Sequence, residues 1–285
     1  MIVGKRKLNI AAVLKGSFIA LFSFIFVLPL WLTVTSSFEE SLSFAKHGYS
    51  FIIYSFSTDA YEILFADSLF WSSLLNSVWV TAATVALSLA VNVLSAYALS
   101  LKKMPLHQFF NVLFVFSMFF NAGMIPTYLI IRSLHMTDSF WALIVPPALG
   151  VYNILLIRNY IYSLPSSMEE AALIDGANRF QLLWNVVVPV SMPIIVTTAF
   201  MTLIAKWNSW MDILLYVSKN EEGRVFWTVQ YYLRYLREAV SQNSSVGSDQ
   251  MLSASIVVTV LPVCILFPFL QKNFANGIAL GAVKG

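Results

Sequence analysis

The chain has 285 residues, of which 59% are hydrophobic and only 11% are charged. A soluble domain carries about a quarter charged residues, so a globule of this composition could not cover its surface with polar groups. The composition therefore excludes a disordered chain, a disulfide scaffold and almost any soluble enzyme, and it indicates a membrane protein. Because Cys264 is the only cysteine, no disulfide can form within the chain.

Six long stretches of the chain contain no Asp, Glu, Lys or Arg. A helix rises about 1.5 Å per residue, so about 20 apolar residues cross a hydrocarbon core of about 30 Å, and each stretch is long enough for one crossing. Apolar residues run together instead of alternating, which disfavours membrane barrel strands. We therefore expect an all-α polytopic membrane protein with six transmembrane helices in a single transmembrane domain, 1–285. The expected spans are about 16–38, 70–100, 106–131, 139–161, 190–216 and 251–271.

The distribution of basic residues predicts the orientation of these spans. An even number of spans places both termini on one side, and that side carries ten of the 17 Lys and Arg residues. The excess of Lys and Arg in cytoplasmic loops therefore predicts that both termini are cytoplasmic. The same topology makes 164–189 a cytoplasmic loop and 219–250 a long outer loop. The aromatic residues of the outer loop are expected either to pack on the membrane surface or to contact a partner; they are Trp227, Tyr231, Tyr232 and Tyr235.

The cytoplasmic loop has the pattern of two short helices. Ser166 precedes Glu169 by three residues, a spacing typical of a capping box at the start of a helix. The stretch 168–175 is good helix sequence, and Gly176 suits a left-handed C-terminal stop. A second short helix is predicted over 179–188, ending before Pro189.

This loop resembles the EAA loop of ABC importer permeases. Glu170-Ala171-Ala172 is followed after three residues by Gly176, and after nine more by Val-Val-Val-Pro ending at Pro189. The family pattern has Ile and Leu where this chain has the first and third Val, and these differences are conservative. The stretches 120–128, 132–140, 206–210 and 277–285 further resemble the carbohydrate-uptake branch of the family, of the maltose-permease second-subunit type and its oligosaccharide subgroup.

The resemblance implies a fold and a function. It implies the type I ABC importer transmembrane fold, a location in the bacterial cytoplasmic membrane, and a permease subunit that moves saccharides inward, oligosaccharides and acidic ones included. It also implies as partners a second homologous permease, two cytoplasmic ATPase subunits that bind ATP and Mg, and an extracellular solute-binding protein. The residues that it assigns to ATPase coupling are Glu169, Glu170, Ala171, Ala172, Asp175, Gly176 and Pro189.

The sequence predicts that this chain is not itself an enzyme. It has no Gly-x4-Gly-Lys-Ser/Thr phosphate loop, so ATP hydrolysis is expected on the partner subunits and no cofactor is expected on this chain. His47, His107 and His135 fall in three separate segments, so no metal site is predicted.

Two charges, Lys206 and Asp212, lie within the predicted fifth span. An ionisable residue inside a membrane usually faces a cavity or a partner, although a lysine at this depth can instead extend to the outer headgroups. Planar rings and amides suit sugars, so the residues expected to line a substrate path are Lys206, Trp207, Asn208, Trp210 and Asp212.

The third span is expected to be interrupted over 121–126. Pro126 removes a backbone donor and Gly123 loosens the helix. An interrupted helix beside a cavity is a natural gate, and an ordinary helix end is the alternative.

Other functions remain open at this point. The same fold could import amino acids or peptides. A membrane enzyme would need clustered acids or histidines near a membrane face, which the sequence lacks. An autonomous secondary transporter would need intramembrane acids in corresponding repeat halves, and only Asp212 qualifies.

Overall fold

The computed structural model describes residues 10–120, 122–217, 225–242 and 248–282, and side chains are described within 14–268. The described residues are almost entirely helical, with one isolated bridge between Glu39 and Phe56. The helices are α1 Ile10–Ser37, α2 Ser41–His47, α3 Asp59–Ala66, α4 Ser68–Ser100, α5 His107–Phe119, α6 Met124–Ser133, α7 Phe140–Ala148, α8 Val151–Ser163, α9 Ser166–Ile174, α10 Arg179–Leu182, α11 Val188–Trp207, α12 Met211–Tyr216, α13 Val229–Gln242 and α14 Ser248–Ala282.

Five helical segments are long and apolar enough to cross a membrane, and the pair α5 and α6 makes a sixth if the two form one broken span. The six uncharged stretches of the sequence thus correspond to six candidate spans. The second is a single unbroken helix, as its length predicts. The other five candidates are Leu14–Ser37, Ser68–Ser100, Phe140–Ser163, Arg179–Trp207 and Asp249–Pro268.

The third span is broken, as predicted. Helices α5 and α6 meet at an angle of 115°. Gly123 precedes α6 with φ +90°, a conformation that L side chains rarely adopt, so glycine is needed there. Asn121, the first residue of the predicted interruption, lies outside the described residues. Pro126 stands in the first turn of α6, where its missing N–H has no helical acceptor, so Pro126 fits the new helix and does not itself cause the break.

The fourth span is also broken, which the sequence reading missed. It consists of α7 and α8, separated by Leu149 and Gly150. Pro146 and Pro147 lie in α7, and proline disrupts the helical hydrogen bonds around it. The backbone N–H of Gly150, which starts the next helix, donates to the buried Asn92 side chain of α4 at 3.2 Å. A polar side chain of a neighbouring helix therefore satisfies the backbone where the span is interrupted.

The predicted short helix that ends before Pro189 is wrong. Helix α10 continues through a π-turn, Leu183–Val187, directly into α11, and Pro189 lies in the first turn of α11. In a regular α-helix the proline ring would clash with the carbonyl four residues back. Here the N–H of Val188 reaches the Leu183 carbonyl, five residues back, and this wider turn accommodates the proline.

The fifth span also ends earlier than predicted. Helix α11 stops at Trp207, and α12 is a separate helix after a break at residues 208–210. The predicted span 190–216 therefore combines the end of one long helix, Arg179–Trp207, with a short second one. No charge, Gly or Pro marks this break, and its only sequence signal is the polar pair Asn208 and Ser209 before Trp210.

The chain divides into two compact units, and each has its own internal contacts. In the first unit the buried carboxylate of Glu39 accepts the backbone N–H of Tyr54 at 2.9 Å and of Ser55 at 3.2 Å. In the same unit, the hydroxyl of Ser36 donates to Ser253 at 2.8 Å. The first unit comprises Met1–Ser68 and Tyr235–Val260, and the second Leu69–Arg234 and Leu261–Gly285.

The second unit contains two apolar clusters of buried residues. One joins the ends of α4, α8 and α10 to the π-turn, with Ile154, Ile157 and Leu182 at its centre. The other joins α4, α6, α7 and α12 and includes Trp227, which lies just before α13. These clusters fix the two regions that bear on function.

Candidate functional site: the helix α9 and an intramembrane polar cavity

Helix α9 begins without the predicted capping box. Pro165 occupies the N-cap position, Ser166 is already the first helical residue, and no side chain caps the start. The capping box lies instead at the next helix. There the Asn178 side chain accepts the N–H of Gln181, and the Gln181 side chain accepts the N–H of Asn178, both at 2.9 Å. An Asn three residues before a Gln was the sequence signal for it.

The C-terminal end of α9 confirms the left-handed helix stop predicted at Gly176. Its φ of +86° is left-handed, and its N–H donates to the Leu173 carbonyl at 3.1 Å. The N–H of Ala177 donates to the Ala172 carbonyl at 3.0 Å. These two bonds form a Schellman motif, in which glycine is favoured because it has no Cβ.

Helix α9 exposes two aliphatic side chains at its C-terminal end. The side chain of Ile174 is 85% exposed and Leu173 is also exposed, although both are aliphatic. A Cβ added at Gly176 would meet nothing within 4 Å inside the chain. Ala172 packs against the apolar cluster around Leu182, so one side of α9 is anchored while the other is open.

The seven residues predicted to couple to an ATPase do not all lie on α9. Pro189 is exposed in α11, beyond the π-turn, whereas the Glu, Ala and Gly residues lie in α9 or directly after it. A cavity of about 400 Å³ lies behind α9. Its lining combines acidic and basic side chains, namely Glu169, Glu170, Lys102, Lys103 and Arg179.

The second region is the break between α11 and α12. Lys206 Nζ lies 2.7 Å from Asp212 Oδ2, and the same oxygen accepts the Ser209 hydroxyl at 2.7 Å. The Lys206 side chain is only 4% exposed and that of Asp212 is 27% exposed. The alternative in which Lys206 extends to the headgroups is therefore wrong: the lysine is buried with a carboxylate that neutralises it.

The ion pair lines a cavity of about 440 Å³. Asn153 of α8 and Thr202 of α11 line it too, and Asn153 Nδ2 donates to Thr202 Oγ1 at 3.1 Å. The sequence reading missed both residues, because each lies in an uncharged stretch. An amide within an otherwise apolar span was the available signal.

The other predicted path residues lie elsewhere. Trp207 is buried and does not line this cavity. Asn208 is exposed and accepts from Gln230 of α13 at 3.5 Å, while the guanidinium of Arg234 lies 4.0 Å from the centre of the Trp210 ring. The structure therefore brings together Lys206 and Asp212, and it places the other three outside the cavity.

The aromatic residues of the outer loop mostly pack within the second unit. Trp227 and Tyr232 are buried, and Asn76 of α4 donates to the Trp227 carbonyl at 3.0 Å. The Trp227 and Tyr231 rings meet edge to face. These contacts are packing against the chain itself, which differs from the expected packing on the membrane surface. Part of the predicted loop, including 219–224, lies outside the described residues.

Comparison with known proteins identifies the family. Residues 17–280 match the family model described as binding-protein-dependent transport system inner membrane component. The chain is 36% identical over 279 residues to a polygalacturonan/rhamnogalacturonan transport system permease protein, YtcP, of Bacillus subtilis, covering 94% of this chain and 96% of that protein. It is 27% identical over 271 residues to an arabinooligosaccharides transport system permease protein, AraQ, of Halalkalibacterium halodurans, covering 93% and 94% of the two chains.

A solved structure confirms the predicted fold. The chain is similar, with a TM-score of 0.82 and 29% identity, to a chain in the crystal structure of a bacterial ABC transporter involved in the import of the acidic polysaccharide alginate. The match covers 96% of this chain and 100% of that chain. With six candidate spans and a family match over most of its length, the chain belongs to the inner membrane components of binding-protein-dependent ABC transport systems.

Proposed function

We propose that this chain is one of two permease subunits of an ATP-driven importer that carries oligosaccharides into the cytoplasm. The observation that carries this proposal is α9: a short exposed helix with uncovered aliphatic side chains, closed by Gly176 in a left-handed conformation. Its motif spacing resembles the loop by which such permeases contact their ATPases. The family supports the role, and the identities of the second permease, the ATPase and the binding protein are part of the proposal.

Helix α9 is the proposed coupling helix. Ile174 and Leu173 offer apolar surface to a groove of the ATPase, and the absence of a Cβ at Gly176 lets the partner approach the backbone. ATP and Mg bind the partner ATPase, and this chain contributes movement and no chemistry. In this assignment the loop 164–189 and both termini are cytoplasmic, which the excess of Lys and Arg on that side supports.

The proposed cargo is an oligosaccharide, acidic ones included. Several relatives are named for saccharide transport, and the similar solved transporter imports an acidic polysaccharide. The cavity at Lys206 and Asp212 offers amide, hydroxyl and charged groups, which suit sugar hydroxyls. Since Asp212 neutralises Lys206, the preference for an acidic cargo rests on the relatives and not on this cavity.

Substitutions of Gly176 test the coupling role. Gly176→Val forces a β-branched residue into a left-handed conformation, so the end of α9 must change, and we expect at least a tenfold loss of substrate-stimulated ATP hydrolysis, about 1.4 kcal/mol or more of coupling. Gly176→Asn is the matched control for conformation, because asparagine tolerates left-handed φ. Both variants should insert into the membrane normally. Full coupling by the Val variant in the reconstituted complex would contradict the proposal.

The cargo is tested by ATPase measurements on the whole complex with its binding protein. Oligogalacturonides and neutral arabino-oligosaccharides should each be compared with amino acids and peptides at equal concentration. We expect stimulation by at least one saccharide and none by amino acids or peptides. Stimulation by a peptide alone would overturn the saccharide assignment while leaving the importer assignment intact.

A further inference from the structure

A groove on the face of α5 has no role in the proposed coupling or cargo path. It has a volume of about 780 Å³ and is bounded by α5 and the last turns of α8. Its lining changes along α5 from polar to apolar. The polar end holds His107 and Asn111 with Arg158 and Tyr162 of α8, and the apolar part is formed by Val112, Val115, Phe116, Phe119 and Phe120.

The polar end is a built cluster. Arg158 donates from Nη1 to the Asn111 side-chain oxygen, and from Nη2 to Asn159 at 3.0 Å. Its guanidinium also lies 5.5 Å from the centre of the Tyr162 ring. Nε2 of His107 lies 3.0 Å from the Tyr162 hydroxyl. The arginine is thereby held at the mouth of the groove by neutral groups only.

The charge of Arg158 is not compensated by an acid within the described chain. Arg158 forms no ion pair with a described residue, and the groove lining contains no Asp or Glu. Glu169 and Glu170 line the adjoining cavity behind α9, together with Lys102 and Lys103, and Tyr162 lines both this cavity and the groove. A partly buried, positioned guanidinium with free N–H groups is suited to a phosphate, which it can bind through two parallel hydrogen bonds.

The apolar part of the groove spans most of one membrane leaflet. From Val112 to Phe120 a helix rises about 12 Å, and half of a hydrocarbon core is about 15 Å. The rings that line this part are open to the outside, and Phe119 is 72% exposed. This lining offers no polar groups to bind the hydroxyls of a saccharide. An acyl chain, in contrast, can pack against the rings along the whole apolar part.

We propose that this groove binds an anionic phospholipid, with its phosphate at Arg158 and one acyl chain along α5. The bound leaflet is the one on the side of α9, which is cytoplasmic in the proposed importer. Lipid binding is measured separately from transport, so the two proposals can fail independently.

The experiment compares phosphatidylglycerol with phosphatidylcholine of the same acyl chains. The whole transporter complex is purified in detergent, and lipid binding is followed by native mass spectrometry and by the thermal shift on lipid addition. Arg158→Gln removes the charge, and Val115→Trp fills the apolar part without changing the charge. Lys102→Gln is the matched control, because it removes a cation near the same end of α5 but outside the groove.

The unmodified complex should bind phosphatidylglycerol and not phosphatidylcholine. We expect about a tenfold weaker binding of phosphatidylglycerol for Arg158→Gln and for Val115→Trp, and no change for Lys102→Gln. Equal binding by all four proteins would overturn the proposal.

Two further outcomes would assign the groove to another occupant. If Val115→Trp prevents assembly with the second permease, the groove is a subunit contact and the lipid proposal is wrong. If oligogalacturonides displace phosphatidylglycerol, or if Arg158→Gln changes only saccharide-stimulated ATP hydrolysis, the groove belongs to the cargo path and the lipid proposal is again wrong.

Discussion

The ammonium group of Lys206 stays inside the membrane-spanning region because its counter-charge comes from the same chain, six residues away. A charge within a bilayer costs several kcal/mol unless it is paired and hydrogen-bonded. The break between α11 and α12 lets the chain turn back, so Asp212 reaches Nζ at 2.7 Å and Ser209 supplies a further hydrogen bond. The break is therefore what makes this buried pair possible.

Because Lys206 is more deeply buried than Asp212, removing either charge of this ion pair should reduce stability by a different amount. Asp212→Asn leaves a lysine that is only 4% exposed without a counter-charge, so we expect a loss of about 3 kcal/mol in the free energy of unfolding. Lys206→Met should cost less, since Asp212 is 27% exposed and keeps the Ser209 hydroxyl. Thermal unfolding of the purified complex measures both.

The double variant provides the control for the pair. Lys206→Met with Asp212→Asn removes both charges, and it should be more stable than Asp212→Asn alone. If the two single losses simply add in the double variant, the groups do not interact and the interpretation is wrong.

Breaks within spans are the main feature at the level of helices. The third, fourth and fifth candidate spans are each interrupted or distorted, by Gly123, by Gly150 and by the π-turn before Pro189. Interrupted backbone within a membrane needs polar partners, and Asn92 provides one for Gly150. The break at Gly150 also positions Asn153 in the polar cavity, so this feature connects the fold to the candidate site.

Gly150→Ala tests that connection. A Cβ at this position would lie 3.0 Å from Nδ2 of Asn153, so the amide must move and its hydrogen bond to Thr202 is expected to break. We expect a loss of about 1 kcal/mol in the free energy of unfolding. Gly16→Ala is the control, because a Cβ there meets nothing within 4 Å.

A second substitution tests whether Asn153 is the reason that Gly150→Ala destabilises the protein. In an Asn153→Ala background the side chain that the new Cβ meets is gone, and Gly150→Ala should then cost little. An equal cost in both backgrounds would show that Asn153 is not the reason.

The sequence was sufficient for some of these helical features and not for others. Uncharged length alone predicted the spans. Gly176 was recognised because a left-handed helix stop favours glycine, whereas Gly123 was singled out only because glycine loosens a helix, and its positive φ was not foreseen. The break at Gly150 depends on an acceptor from Asn92, 58 residues away in the chain, and no local pattern contains that information. The predicted stop before Pro189 failed because a π-turn, which propensity does not indicate, can carry a helix past a proline.

Contacts between distant parts of the chain also limited how much of the candidate site could be predicted from the sequence. Lys206 and Asp212 were found because charges are rare within spans, but Asn153 and Thr202 join them only through packing of α8 against α11. Trp207 was expected beside them because its ring suits a sugar, whereas in the structure it is buried and does not line this cavity.

At the level of the whole molecule, topology is the property that the charges predict most directly. The chain has a formal net charge of +3, and in the predicted topology ten of its 17 Lys and Arg residues lie on the side of the termini and of α9. The outer side carries most of the acids, among them Glu40 and Asp59 in the first outer segment. This asymmetry predicts the orientation of the chain in the membrane and does not indicate a nucleic-acid partner.

Single-cysteine labelling tests the orientation. In a Cys264→Ser background, Thr58→Cys and Ser163→Cys each place one exposed thiol, the first before α3 and the second at the end of α8. A membrane-impermeant maleimide should label position 58 in intact cells, and position 163 only after permeabilisation. The reverse pattern would invert the topology, and labelling of both in intact cells would change the number of spans between them.

The continuous helix from Arg179 to Trp207 has a mechanical consequence. Over its 29 residues it extends about 43 Å, with the end of α9 near its first turn and Lys206 near its last. If this helix, with its π-turn, tilts as a unit by about 5° about its middle, each end moves by about 2 Å in opposite directions. That displacement is comparable to the 2.7 Å distance between Lys206 Nζ and Asp212 Oδ2. A small movement of the helix at the α9 end is therefore enough to break or form this hydrogen bond at the other end.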